Sequence, residues 1–163
     1  MYLLDANVFI TAHRTIYPFD VFPGYWDWLS SALSSGTIGS IERVRDELTS
    51  LEDRLQDWVD DQVGLDLTPD DATIEALREL AVWTMAEARF VPAAKTQFLD
   101  VADYFLVGHA IAGGHIVVTN EVAQPEGKNK VKIPDACDAF GVEWIAPIEL
   151  LRREGVSFTL SDG

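Results

Sequence analysis

Only one cysteine, Cys137, occurs in the 163 residues, so no internal disulfide can form and the chain must fold on packing alone. A reducing compartment is expected, with the cytoplasm as the default. Cations are scarce as well. Twelve Lys and Arg stand against 27 Asp and Glu, a net charge of −15, which excludes nucleic-acid binding through a broad basic face. Any polyanion must be held by local cations. No apolar run approaches the roughly 18 residues of a membrane span, and the opening MYLLDANVFI has no basic stretch to begin a signal peptide. An unprocessed chain with no membrane partner is expected. His13, His109 and His115 show no zinc spacing with one another or with Cys137, and neither GxxxxGKS/T nor GxGxxG occurs.

Hydrophobic residues make up 48% of the chain and charged ones 24%; that is a globular composition, and the length suits one domain spanning 1–163. The acid is uneven: residues 42–87 hold 14 acidic and 4 basic residues, a net −10 out of −15. That segment reads as amphipathic helices with solvated outer faces. The closing SDG is expected to fray.

Tyr2-Leu3-Leu4 suits a buried strand ending at Asp5. The aromatic, proline-bearing stretch after Ile10 reads as a loop, with a helix beginning near Tyr25. Gly36 and Gly39 punctuate the chain, and Ser40 is the expected N-cap of a helix whose apolar stripe is Ile41, Val44, Leu48, Leu51, Leu55 and Trp58. Thr68-Pro69-Asp70-Asp71 reads as a helix start, with Ile74, Leu77, Leu80 and Ala81 buried. Pro92 opens another helix, and Asp100 to Asp103 opens or continues one that ends at Gly113-Gly114. His115 to Thr119 is the clearest strand. Pro134 starts a short helix, Val142 to Ile145 reads as a third strand, Pro147 starts a helix through Leu151, and Phe158 to Leu160 is a candidate edge strand. Strands separated by helices imply right-handed crossovers, so the expected class is α/β, a three-layer α/β/α sandwich with a central parallel sheet. Ligands in such sheets bind beyond the carboxyl ends of the strands.

Acids collect at that edge. One strand delivers Asp5 and another delivers Thr119, Asn120 and Glu121. At ~100° per residue, Glu47 lies about 70° from the centre of its helical stripe, and Asp46 lies nearly opposite. Glu52 borders the other flank, so the wheel leaves both Glu47 and Glu52 open. Asp103 sits in FLDVADYFLVGHAIA, apolar almost all round, where a charge needs a partner; a capping box with Asp100 as N-cap is a second role, compatible with the first. Four carboxylates at one edge repel each other without a counter-charge. Mg²⁺ or Mn²⁺ would supply it, keeping waters and leaving room for phosphate oxygens. Phosphodiester hydrolysis suits such a site.

DANVF at the N-terminus, the acid in VRDEL, the Asp opening ADYFLVGHAIAGG and the strand ending TNE resemble, in order and placement, the PIN-domain nuclease superfamily. The likeness is to VapC-type toxin ribonucleases in particular, and to a bacterial PIN-like family whose members begin YLLDANVFI. It runs from Met1 to about Leu151. The resemblance implies a PIN-like fold, one or two Mg²⁺ or Mn²⁺ ions and cleavage of single-stranded or structured RNA by an activated water. It also implies an antitoxin partner and a homodimer. Asp5 matches the family's first acid, Glu47 rather than Glu52 the second, and Asp103 the third. Glu121, two residues after Thr119, stands at the fourth position, where Asp is common. Asn7 matches a small polar position that orients the first acid, and Asn120 is placed to bond ligand or water.

EVAQPEGKNKVKIPD departs from the usual toxin pattern and carries Lys128, Lys130 and Lys132. In an extended loop these alternate residues point to one side, a candidate phosphate track for RNA. Asp135 reads as an early helix acid favoured by the dipole. Tyr25, Trp26 and Trp28 could stack bases but read more simply as packing, as do Trp58, Trp83 and Trp144. The leading expectation is a metal-dependent endoribonuclease, the toxin of a toxin–antitoxin pair. An aspartate-nucleophile phosphatase is one alternative, although its DxDxT pattern wants a second Asp where Asn7 stands. The other is a catalytically idle PIN-like module that binds a basic partner.

Overall fold

The computed structural model describes residues 1–51 and 53–159. Four strands, β1 (Tyr2–Leu4), β2 (Ile38–Gly39), β3 (Ile116–Val118) and β4 (Trp144–Ile145), form one sheet in the order β2-β1-β3-β4. Every neighbouring pair is parallel, and parallel strands require crossovers, which the helices supply. Among the described residues the helices are α1 (Ala6–Thr11), which runs into a π-helical turn at Ala12–Ile16, α2 (Pro23–Ser34), α3 (Glu42–Thr49), α4 (Arg54–Asp60), α5 (Asp71–Ala86), α6 (Pro92–Asp100), α7 (Ala102–Gly113), α8 (Ile133–Phe140) and α9 (Pro147–Arg153). Leu3, Leu4, Ile38, Val117 and Val118 are buried, as a sheet covered on both faces demands. The architecture is the expected three-layer α/β/α sandwich. No described helix is long and apolar enough to cross a membrane.

The chain leaves β1 for β2 on one side and later returns to place β3 on the other, so the order reverses between β1 and β3. That reversal opens a crevice beyond the strand ends. Asp5 follows β1 directly and Thr119 follows β3.

Several local expectations are corrected. The outer strand beside β1 is Ile38–Gly39, not Phe158–Leu160; Phe158 and Thr159 lie outside regular structure, and Leu160 with the SDG tail falls outside the described residues. Gly39 reads as a turn residue because of its type, yet it is a strand glycine required by close approach: a Cβ there would meet Met1 Sδ at 3.0 Å and the Gly64 carbonyl at 3.2 Å. Ser40 caps no helix. Its hydroxyl donates to the Leu4 carbonyl at 2.7 Å, tying β1 to the chain after β2, and α3 starts from an extended Ile41. The long stripe from Ile41 to Trp58 is two helices, because Asp53 interrupts it and caps α4 by accepting from the Leu55 N–H at 2.9 Å. Glu52 lies outside the described residues.

The α5 cap is Asp70 rather than Thr68, accepting from the Thr73 N–H at 2.8 Å and hydroxyl at 2.7 Å. This start turns Thr73, Ala76, Leu80 and Thr84 inward and leaves Ile74 exposed. Asp100 is the last residue of α6, not an N-cap. The extended Val101 separates the two helices and offers no capping side chain, so Asp103 belongs to no capping box. Gly114, at φ 61°, ends α7 in the left-handed conformation that glycine adopts without strain.

The aromatic residues pack. Tyr17 stacks on Tyr25 at 4.2 Å and Phe19 on Trp26 at 4.0 Å, while Trp58 meets Trp26 edge-on at 4.9 Å between ring centroids. Tyr25 and Trp26 are each 3% exposed and have no face left for a base.

Candidate functional site

Asp5 has an extended backbone and is the N-cap of α1. Its Oδ1 accepts from the Asn7 N–H at 3.4 Å and its Oδ2 from the Thr119 hydroxyl at 3.1 Å. The residue is 2% exposed. Burial, and then the charge of Asp103, push its carboxyl up to about 7, against the pull of the two hydrogen bonds. The strand-end role and the helix-cap role are thus one position.

Asp103 enters from the second residue of α7. Burial, and next the charge of Glu121, raise its carboxyl to about 6; Lys130 opposes the rise and Glu47 adds to it. Glu47 sits in the last turn of α3, on an exposed stretch of helix. Its side chain nevertheless reaches a cavity wall, and the partial burial there raises its carboxyl. The cavity, about 190 Å³, is lined by Asn7, Glu47 and Asp103, by Gln97 and its apolar neighbours on α6, and by Lys130 and Val131. Asp5 and Glu121 are not part of its lining; both couple to Asp103 through charge.

Glu121 is fully engaged. One oxygen pairs with the Lys130 ammonium, and the other accepts from the Ile133 N–H at the start of α8 at 2.8 Å. Its own N–H donates to Thr119 Oγ1 at 3.0 Å. Asn120 donates its side-chain amide to the Asn7 carbonyl at 3.1 Å, so Asn7 is bonded through its backbone to both Asp5 and Asn120, and it also lines the cavity. The three lysines have different surroundings. Lys130 enters the cavity, the Lys132 ammonium lies 3.5 Å from the Val122 carbonyl, and Lys128 is exposed. Asp135 is the helix acid expected; it accepts from the Lys132 N–H at 2.9 Å and pairs with Arg89 at 2.7 Å.

Gln97 is the polar residue that sequence reasoning missed. The signal was present: Ala94, Gln97, Phe98 and Val101 repeat at three and four residues, one face of a helix, and that face lines the cavity.

Among the described residues no three His, Cys, Asp or Glu side chains form a ready-made metal cage. The donor set is still of the kind Mg²⁺ or Mn²⁺ takes, because such ions use one or two carboxylates and complete their shell with water and phosphate. Glu47 and Asp103 line the cavity, and Asp5 lies close enough for the charge of Asp103 to raise its carboxyl. Burial is the first cause of all three raised carboxyls, and for Asp5 and Asp103 a neighbouring carboxylate adds to it.

The two neighbours on α3 separate cavity chemistry from surface charge. Glu47→Gln is expected to lower any metal-dependent activity by about 10- to 100-fold, while Asp46→Asn leaves it unchanged. Equal losses in a side-by-side assay would show that the cavity is not where the chemistry occurs.

A family described as a domain of unknown function (DUF4411) matches the chain over residues 2–158. No curated protein matches it.

Proposed function

We propose, for a chain that belongs to the DUF4411 family, that it is a metal-dependent endoribonuclease of PIN type and acts as the toxin of a toxin–antitoxin pair. The observation that carries the reading is the meeting of acids from four separate elements, after β1, on α3, on α7 and after β3, around the β1/β3 crevice with one lysine among them.

Glu47 and Asp103 would hold Mg²⁺ or Mn²⁺, with Asp5 behind them and Glu121 at the rim. Bound there, the cation would acidify a water and share the negative charge of a phosphodiester. The chain's own groups prepare the site. The Thr119 hydroxyl and the Asn7 N–H fix Asp5 in one rotamer. Asn120 fastens the loop after β3 to α1. Lys130 puts a cation at the cavity wall where an RNA phosphate would lie, and Lys128 and Lys132 add charge along the same loop. With these cations clustered, a net charge of −15 is compatible with an RNA substrate, while the acidic 42–87 segment suits a basic protein partner. Asp5 is a poor phosphatase nucleophile, since it is 2% exposed and both its oxygens accept hydrogen bonds.

The test is cleavage of defined single-stranded and structured RNAs with Mg²⁺ or Mn²⁺, with chelator, and with Asp103→Asn. Cleavage that requires the cation and is lost in the variant supports the reading. Cleavage indifferent to both would remove it, and phosphorylation of Asp5 by a phosphodonor would replace it with the phosphatase.

A further inference from the structure

We propose that Lys130 is a built-in counter-ion to the carboxylate cluster, which a divalent cation must displace; the inference rests on the metal-site reading above. In the metal-free protein the lysine occupies the cation's electrostatic place. When the cation enters, the ammonium swings outward and becomes free to hold a phosphate.

The geometry supports an exchange of this kind. Lys130 lines the same cavity as Glu47 and Asp103, and its ammonium pairs with Glu121. Glu121 is itself held by the Ile133 N–H and by Thr119, whose hydroxyl reaches Asp5. One lysine is therefore wired to the whole set. Its charge stabilises ionised Asp103, and Asp103 and Asp5 in turn favour the charged ammonium. A dication placed among the same acids would meet a like charge at short range, so both cannot occupy the cavity at full strength.

The side chain can leave without the fold changing. Val131 and Ile133 are buried and pin the backbone on the C-terminal side of Lys130, whereas the lysine side chain is 50% exposed. A lysine head is a compact charge on a flexible stem, and water lies within reach of a rotamer change. The arrangement also couples two ligands. A phosphate that draws Lys130 away removes the competitor and tightens the cation, and by reciprocity the cation strengthens phosphate binding.

The test is calorimetric titration with Mn²⁺ alone, no RNA present, on the full chain. Lys130→Gln is expected to bind Mn²⁺ at least about tenfold more tightly than the wild type. Lys95→Gln, whose ammonium donates to the Met85 carbonyl at 2.8 Å and does not line the cavity, is expected to bind as the wild type does. Lys130→Ala repeats the measurement with a shorter side chain, and a cooperative melt checks that each variant is folded. Unchanged or weaker Mn²⁺ binding in both Lys130 variants overturns the exchange. If the wild type binds Mn²⁺, Asp103→Asn abolishes that binding and the Lys130 variants match the wild type, the exchange alone is wrong. If no form binds Mn²⁺, the metal site falls and the exchange falls with it.

Discussion

Asp5→Asn is expected to yield a protein that is inactive and, at pH 8, more stable than the wild type. The carboxyl of Asp5 is pushed from 3.8 up to about 7, first by burial and then by Asp103. Because the folded value is the higher one, the folded state binds more protons than the unfolded state between about pH 4 and pH 7. Stability contributed by this group therefore falls as pH rises through that window, and above it the ionised carboxylate costs at most about 4 kcal/mol. Asparagine has nearly the same shape, carries no charge, and can still accept from the Asn7 N–H while its amide faces Thr119. For a domain of this size the full relief corresponds to roughly 8–16 °C in melting temperature. The difference should shrink towards pH 4 and disappear near about pH 3, where both side chains are neutral in both states. Cleavage should drop by roughly 10²- to 10³-fold. Melts in chelator at pH 4 and pH 8, beside the RNA assay, check both halves. A variant that melts below the wild type at pH 8 would mean that the carboxylate is already well compensated.

A second large effect is expected from the cation itself. Mg²⁺ or Mn²⁺ at about 100 times its dissociation constant should add about 2.7 kcal/mol by linkage, again roughly 5–10 °C. The gain should grow from pH 5 to pH 8, because the cation competes with the protons that the raised carboxyls of Asp5 and Asp103 retain in acid. In Asp103→Asn it should be lost. An equal shift in that variant would assign the ion to the acidic outer surfaces of α4 and α5.

The class of fold and the location of the site were legible for a simple reason. Tyr2–Leu4 and Ile116–Val118 are unbroken apolar runs, each followed at once by polar residues, and parallel pairing sets those polar residues side by side. Helical phase was enough to separate Glu47 from Asp46, because α3 really is helical over both. It was not enough to see that the stripe breaks before Leu55, since a two-helix corner can preserve spacing while Asp53 changes direction. Ile38–Gly39 was invisible because a two-residue strand has no periodicity, and its glycine answers to a distant contact with Met1 and Gly64. Ser40 failed in the same way: its partner, the Leu4 carbonyl, is 36 residues away. The expectation of one side for Lys128, Lys130 and Lys132 assumed a regular extended loop, and the chain bends at Asn129 between the first two.

Strands of two or three residues leave the sheet with few backbone hydrogen bonds, and the bond from the Asp5 amide to the Val118 carbonyl, 3.0 Å long, lies at its centre. Amides at such a junction are expected to exchange with solvent only when the whole molecule opens. The residue with the most strained charge is therefore also locked to the last part of the backbone to come apart. Heat and denaturant should thus erase the site in one step with the fold, with no intermediate in which the protein is globular but its centre has loosened.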